Sequence, residues 1–383
     1  MKGTIVYIGS DIPDKAPAGV RVFANALALM MYGYEVKIIS VDKTVETEHA
    51  FHEGIETWHL PRPLSTREWI NNLLRVERFT TIIDRIKDVK LVIAYEFPAI
   101  AFCKLKGYCT HNKIKLVSEC AEWQKWENLG HLKPLPRLVR VVDVNSAMYY
   151  SYKKSDGLIV TSHYFDDFFK GCVPTLVLPT LQCRKIDLPA EIQKNKIRKF
   201  IYAGQLGYRK DMLTDIIKAF AKIRNYDFEF NVLGLSRDEY VERFPEEEVT
   251  LLEVNKEKEK IKFWGKVTHI DVLNEVCNSD FSLIIRESIR RNNVGFPTKF
   301  GESITCGTPV IVSDFSDVAH YTEKYKVGIV TDISHIHEGL EQALLMDNDS
   351  LLRLHVNCRA CNAFHYEGNV EYIGSFIDKI ILN

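Results

Sequence analysis

Short runs of β-branched and apolar residues alternate with longer helix-like stretches, and the alternation occurs twice along the chain. The first series is GTIVYIG at 3–9, VKIIS at 36–40, LVIAYE at 91–96 and LIVTS at 158–162. An apolar helix from Val22 to Tyr32, ended by Gly33, joins the first two runs, and Arg67 to Asp88 carries Ile70, Leu73, Leu74 and Ile82 at helical spacing. Strand–helix–strand repetition calls for a parallel sheet, because parallel neighbours need a crossover long enough to hold a helix. The rhythm pauses over CRKIDLPAEIQKNKIR at 183–198, a charged stretch with a proline and little apolar periodicity. It resumes with KFIYAG (199–204), a helix from Met212 to Ile223, FEFNVLG (228–234), IKFWG (261–265), FSLIIRE (281–287), PVIVS (309–313) and VGIVT (327–331). The expectation is an α/β protein of two Rossmann-like domains, 1–185 and 186–383, facing a central cleft, with the last helix free to pack back on the first domain. Open α/β sheets bind ligands at their carboxyl edges, so both edges should face that cleft.

Composition narrows the class. At 383 residues the chain is long for one core, so two domains of under about 200 residues each are natural. Lysine plus arginine (50) balance aspartate plus glutamate (51), which argues against a nucleic-acid partner. The opening MKGTIVYIGS has too few apolar residues for a signal-peptide core or a membrane span and reads as a buried strand. Nine cysteines, mostly inside apolar segments, fit reduced thiols in the cytoplasm. His355, Cys358, Cys361 and His365 are zinc-like types at one-face helical spacing. A straight helix would string them along about 15 Å, too far to surround one ion. Asp347 and Asp349, in MDNDS, read as a loop rather than a metal pair. No metal site and no cofactor are expected.

The segment RESIRRNNVGFPTKFGESITCGTPVIVSD, from Arg286 to Asp314, carries the chemistry. A strand ends near Glu287, a polar loop with Gly295 follows, and Pro297 stands where a helix begins. A helix amino terminus with Lys299 in its first turn favours a diphosphate. Glu302, three positions on, projects from nearly the same face and can accept hydrogen bonds from paired ribose hydroxyls. In YAGQLGYRKD, Gly204 stands at a strand end and Arg209 and Lys210 just before the next helix, within reach of the same phosphates. Taken alone, an Arg–Lys pair is an ordinary solvated charge. The turn after the first strand, GSDIPDKAPAG, lacks the G-x-G-x-x-G spacing of a dinucleotide oxidoreductase.

These segments resemble the family 4 retaining glycosyltransferases of the GT-B fold, especially those that build bacterial surface polysaccharides. GFPTKFGESITCGTPVIVSD is similar to the family's pattern of proline, lysine, glutamate and GxPV, and YAGQLGYRKD to its glycine with a lysine six positions later. AGVRVFANALALMMYGYEVKIIS, with Gly19, resembles the amino-terminal glycine loop and helix, DGLIVTSHYF is a further echo, and SECAEW resembles a DxxEW-like element. The resemblance implies an amino-terminal acceptor domain and a carboxyl-terminal nucleotide-sugar domain. It assigns Lys210, Lys299 and Arg209 to the diphosphate and Glu302 to the ribose, with Gly204, Gly19, Arg286, Asn293, Phe296 and Thr298 also around the donor. A departing diphosphate stabilised by lysines needs no metal. Relatives often have a glutamate at the position of Val294 and an arginine at that of Gln205. Sugar contacts then fall to Asn292, Asn293 or backbone groups, and Arg209 replaces the arginine. The family's amino-terminal catalytic histidine has no clear counterpart; Glu122 or His131 could take that place. The implied function moves a hexosyl group from a nucleotide sugar to a glycan or lipid-linked acceptor. A non-catalytic nucleotide- or glycan-binding subunit and a GT-B sugar-nucleotide epimerase are the alternatives. HLKPLPRLVR at 131–140, with Lys133, Arg137 and Arg140, and Arg67, Trp69, Arg75 and Arg78, suggest peripheral contact with the inner face of a membrane.

Overall fold

A computed structural model describes residues 2–10, 12, 17–42, 47–123, 126–129, 132–184, 186, 188, 192, 195–204 and 211–383. They form two compact units, the first 1–183 with 365–383 and the second 184–364. The first unit holds β1 (Thr4–Ser10), β2 (Glu35–Asp42), β3 (His49–His52), β4 (Ile55–Pro61), β5 (Val89–Tyr95), β6 (Lys115–Cys120), β7 (Gly157–Val160) and β8 (Thr175–Val177). Their order is β3-β4-β2-β1-β5-β6-β7-β8, parallel except where β3 pairs antiparallel with β4. The order reverses between β1 and β5, which makes the carboxyl ends of those two strands the natural place for a ligand.

Four strands of this unit lie outside the run-based reading. β3 and β4 form an edge hairpin turned by Glu53 and Gly54, both at positive φ, and their mixed His, Thr and Trp content hides them. β6 contains Ser118 and Glu119, polar residues that are nonetheless fully buried, and β8 has three residues only. The single helix expected over Arg67–Asp88 is two, Thr66–Leu74 and Glu77–Ile83, because the chain turns extended at Arg75. That break keeps Leu73, Val76, Phe79, Ile82 and Ile83 buried, which one straight helix would not do. Gly19 is buried within the first turns of helix Pro17–Met31, not in a loop.

Beneath the first sheet's carboxyl edge, the buried Arg21 donates from Nε to Glu119 Oε1 at 2.5 Å and from Nη1 to the carbonyls of Leu178 and Pro179, both at 3.0 Å. Tyr7 donates to the same carboxylate, and Asn25 to both. A buried charge persists only where it is paired and hydrogen-bonded in this way. The final helix, Val370–Leu382, is held on this unit by Asp378, which accepts from Lys2 (2.8 Å), Tyr32 (2.8 Å) and Tyr34 (2.5 Å). Gly374 lies against the Tyr32 ring with no room for a Cβ.

The second unit holds β9 (Arg198–Ala203), β10 (Phe228–Leu233), β11 (Ile261–Gly265), β12 (Phe281–Ile284), β13 (Val310–Ser313) and β14 (Gly328–Thr331). All are parallel, in the order β11-β10-β9-β12-β13-β14, with the reversal between β9 and β12. Phe200, Phe220, Phe228, Phe230 and Phe281 stack across one face of the sheet, with ring centroids 4.5–6.0 Å apart. Each buried ring contributes about 1.5–3 kcal/mol, so these strands form a rigid platform for the loops at their carboxyl ends.

Candidate functional site

At the second unit's reversal point, β9 ends at Ala203 and Gly204 follows with φ +143°. A Cβ on Gly204 would come within 2.5 Å of Lys299 Cε and 2.8 Å of Nζ, so only glycine lets the lysine lie against the strand end. Lys299 belongs to helix Thr298–Thr305, capped by Pro297, one position earlier than a proline in the first turn. Its Nζ is 3.0 Å from Asp211 Oδ2 and 4.0 Å from the Tyr202 ring centroid. Arg286, just past β12, reaches Asp211 Oδ1 from Nε at 2.6 Å, and the Tyr202 hydroxyl donates to Oδ2 at 2.8 Å. Arg286 is fixed in turn by Ser313, whose Oγ accepts from its amide (2.8 Å) and donates to its carbonyl (2.6 Å).

Asp211 is thus the hub of this cluster, and the sequence did not reveal it. An aspartate before a helix reads as a cap, yet helix Leu213–Lys222 has Met212 at its cap position and no side-chain cap. Burial alone would raise the Asp211 carboxyl, but the Lys299 ammonium, the Arg286 guanidinium and the Tyr202 hydroxyl hold it well below the usual carboxylate range. A depressed carboxylate stabilises the fold above its unfolded pKa, and that contribution is lost as pH falls through the folded value. Asp211→Asn should therefore destabilise the protein at neutral pH by about 3 kcal/mol, since it removes the counter-charge of the buried Arg286 and weakens the hold on the partly buried Lys299. Thermal unfolding across pH tests this: the gap to wild type should close only in strong acid, and equal melting at pH 7 would count against the cluster.

Glu302 lies one turn beyond Lys299 and does not pair with it by any hydrogen bond described; its Oε1 is 3.1 Å from Nε2 of His269, at the start of helix His269–Cys277. His269 is a further neighbour missed in the sequence, where THIDVL carries no motif. Asn293 accepts from the Ser316 amide at 2.9 Å and pairs with Ser288, and so shapes the loop before Pro297. The Phe296 side chain packs with Phe300, Tyr321 and Phe364, which leaves its main chain as the part a ligand could meet. Arg286 is buried and committed to Asp211, a support for Lys299 more than a direct donor contact. Val294 is buried in place of the glutamate that relatives often carry, and Asn292 beside it has a buried Oδ1 with no partner. Thr298 opens the helix. Arg209, Lys210, Gln205 and His131 lie outside the described residues.

Glu122 follows β6 in the first unit and lines a small pocket with Glu96, Arg140, Asp143 and Tyr152. Of the four residues at helical spacing, His355, Cys358 and His365 each have a partner outside the group. Helix Asn348–Ala360 ends before Cys361. His355 meets the Gly307 carbonyl (2.7 Å), Cys358 the Val327 carbonyl (3.7 Å), and His365 pairs with Gln182 in the first unit.

Two parallel-sheet units, the second with cations gathered at its reversal point, define the GT-B architecture, and solved structures agree along the whole chain. Sucrose-phosphate synthase from Thermosynechococcus elongatus has a TM-score of 0.70 at 14% identity, over 99% of each chain. A glycosyltransferase from Rickettsia africae has 0.67 at 12%, over 100% of this chain and 99% of that one. HepE from Anabaena, in complex with UDP-glucose, has 0.64 at 14%, over 98% and 100%. At these identities the likeness is one of fold. Residues 197–346, which lie within the second unit, match the family described as Glycosyl transferases group 1, and this match supports a glycosyltransferase. No curated protein sequence matches the chain significantly.

Proposed function

We propose that the chain moves a hexosyl group from a nucleoside diphosphate sugar, held on the second unit, to a glycan or lipid-linked acceptor engaged by the first. The observation that carries this is Lys299, set by Asp211 against the side-chain-free face of Gly204, with Glu302 one turn along the same helix. In this reading Lys299, with Lys210 and Arg209, neutralises the departing diphosphate, and Glu302 accepts from the donor ribose. Transfer proceeds with retention of anomeric configuration, the departing phosphate taking the acceptor's proton, and no metal is called upon. Glu122 marks the acceptor side. The setting is bacterial capsule, O-antigen or exopolysaccharide assembly, in the cytoplasm. HepE is described with UDP-glucose, and an Escherichia coli trehalose-6-phosphate structure with UDP-2-fluoro glucose, so uridine donors are the first to test. In a thermal-shift screen of nucleotide sugars, a true donor at about a hundred times its Kd should stabilise by about 2.7 kcal/mol. No shift with any uridine, guanosine, adenosine or thymidine diphosphate sugar would defeat the proposal.

A lipid-linked acceptor is favoured by one further observation. Helix Pro134–Ser146 exposes Leu135, Leu138 and Val142, spaced three and four residues apart, to 70%, 51% and 57%. Exposed apolar residues at helical spacing, with Lys133 at the start of the helix, suit an anionic membrane surface. Leu64 and Ile70, also exposed, stand near Arg67 and Arg75. Three of the expected basic contacts are otherwise engaged: Arg137 donates to Trp126 O at 2.6 Å and lies over that ring, Arg140 is 3.5 Å from Asp143, and Arg78 donates to Pro61 O and Asn72. Among the described residues no helix is long and apolar enough to cross a membrane. Wild type should float with anionic liposomes at low salt and Leu135→Glu/Leu138→Glu should not; equal flotation of both, or none by wild type, would refute the contact.

A further inference from the structure

Glu96 follows β5 at the first unit's reversal point, in the left-handed region at φ +43°, a conformation seldom held by a residue with so long a side chain. Its amide is pinned to the Glu119 carbonyl of β6 at 2.9 Å, so the backbone cannot relax without breaking the sheet edge. The side chain enters a pocket whose walls include Phe97, Glu122, Arg140, Asp143, Met148 and Tyr152. The pocket has ≈ 20 Å³ of room for water-sized groups, enough for one hydroxyl or water. Glu96 Oε1 is buried there with no hydrogen-bond partner. The pocket's other polar groups are partly committed: Asp143 Oδ1 accepts from the Ala99 amide (2.9 Å) and the Tyr152 hydroxyl donates to the Phe97 carbonyl (2.7 Å). A buried acceptor without a partner is costly unless something supplies a donor.

We propose that Glu96 binds the acceptor: its carboxyl takes one hydroxyl of a sugar, with Phe97 and Met148 forming the apolar wall beside it. This rests on the reading that the first unit engages a glycan. Burial, and next the Glu122 carboxylate, push the Glu96 carboxyl up to about 8, against the Arg140 guanidinium and the amides of Glu122 and Ala121. At neutral pH it is therefore mainly protonated and both donates and accepts, as a sugar hydroxyl requires. Asp143 and Tyr152 face the same space.

The test is saturation-transfer NMR on the full chain with methyl α-glucoside, methyl α-galactoside and methyl α-mannoside, in the presence of UDP. Glu96→Asn suits the left-handed backbone and shortens the side chain, and Glu96→Gln keeps the length and a neutral donor and acceptor. At least one glycoside should bind wild type, weaken by about tenfold in Glu96→Asn, and be retained in Glu96→Gln. Binding should fall above about pH 8 in wild type and stay level in Glu96→Gln. Equal binding by wild type and Glu96→Asn, or no binding of any of the three, overturns the assignment. The UDP-glucose thermal shift of both variants should match wild type; a wild type that binds glycosides without that shift contradicts the donor reading and leaves this one standing.

Discussion

Lys299→Ala should lower turnover about a hundredfold or more while changing affinity for the free nucleoside diphosphate only a few-fold. The ammonium is positioned before any ligand arrives, by Asp211 at 3.0 Å and by the missing side chain at Gly204. A preplaced charge acts most strongly when negative charge develops, here on the phosphate oxygen as the glycosidic bond breaks. Loss of one such donor typically costs about 2.7–4 kcal/mol of transition-state stabilisation. Lys299→Arg should rescue poorly, because the space beside Gly204 and the Tyr202 ring is fitted to a slim ammonium and not to a planar fork. Steady-state kinetics with the donor found by thermal shift checks both variants. A Lys299→Ala enzyme with near wild-type kcat would mean that the lysine serves only to neutralise Asp211.

Glu302→Ala should fail differently, by losing nucleotide itself. A carboxylate accepting from two ribose hydroxyls contributes about 1.5–3 kcal/mol, so the Kd for nucleoside diphosphate should rise about tenfold to a hundredfold. The rival view makes Glu302 a surface carboxylate in a helical pair with Lys299. The structure gives these two residues different partners, Asp211 for the lysine and His269 for the glutamate. The His269–Glu302 contact is partly exposed and contributes under about 1 kcal/mol to stability, so the fold should survive the substitution.

Both predictions concern residues whose types and spacing were visible in the chain. Lys299 and Glu302 stand three apart after a proline, and the strand runs on either side locate them at a sheet edge. What the sequence could not display is pairing across it. Asp211 and Arg286 are 75 positions apart and meet only because β9 and β12 are neighbours in the sheet. The resemblance places Phe296 near the donor, but which of its faces is buried depends on Tyr321 and Phe364, which come later in the chain. Strand β6 is obscured for a related reason: Glu119 looks like a solvent-facing residue until Arg21 and Tyr7 are brought onto its carboxylate. Glu96 ends the run LVIAYE and was read as a strand terminus. Its left-handed backbone and its pocket are products of tertiary contacts with residues 119–152, beyond the reach of a local pattern.

The second unit's claim to the donor is tested most directly by calorimetric titration of UDP, GDP, ADP and dTDP into wild type, Glu302→Ala and Lys299→Ala, with unfolding midpoints measured alongside. One nucleotide should bind wild type, bind Glu302→Ala about tenfold to a hundredfold more weakly, and bind Lys299→Ala nearly as well as wild type. Equal affinity of wild type and Glu302→Ala with matched folding, or no binding of any nucleotide by wild type, would contradict the account.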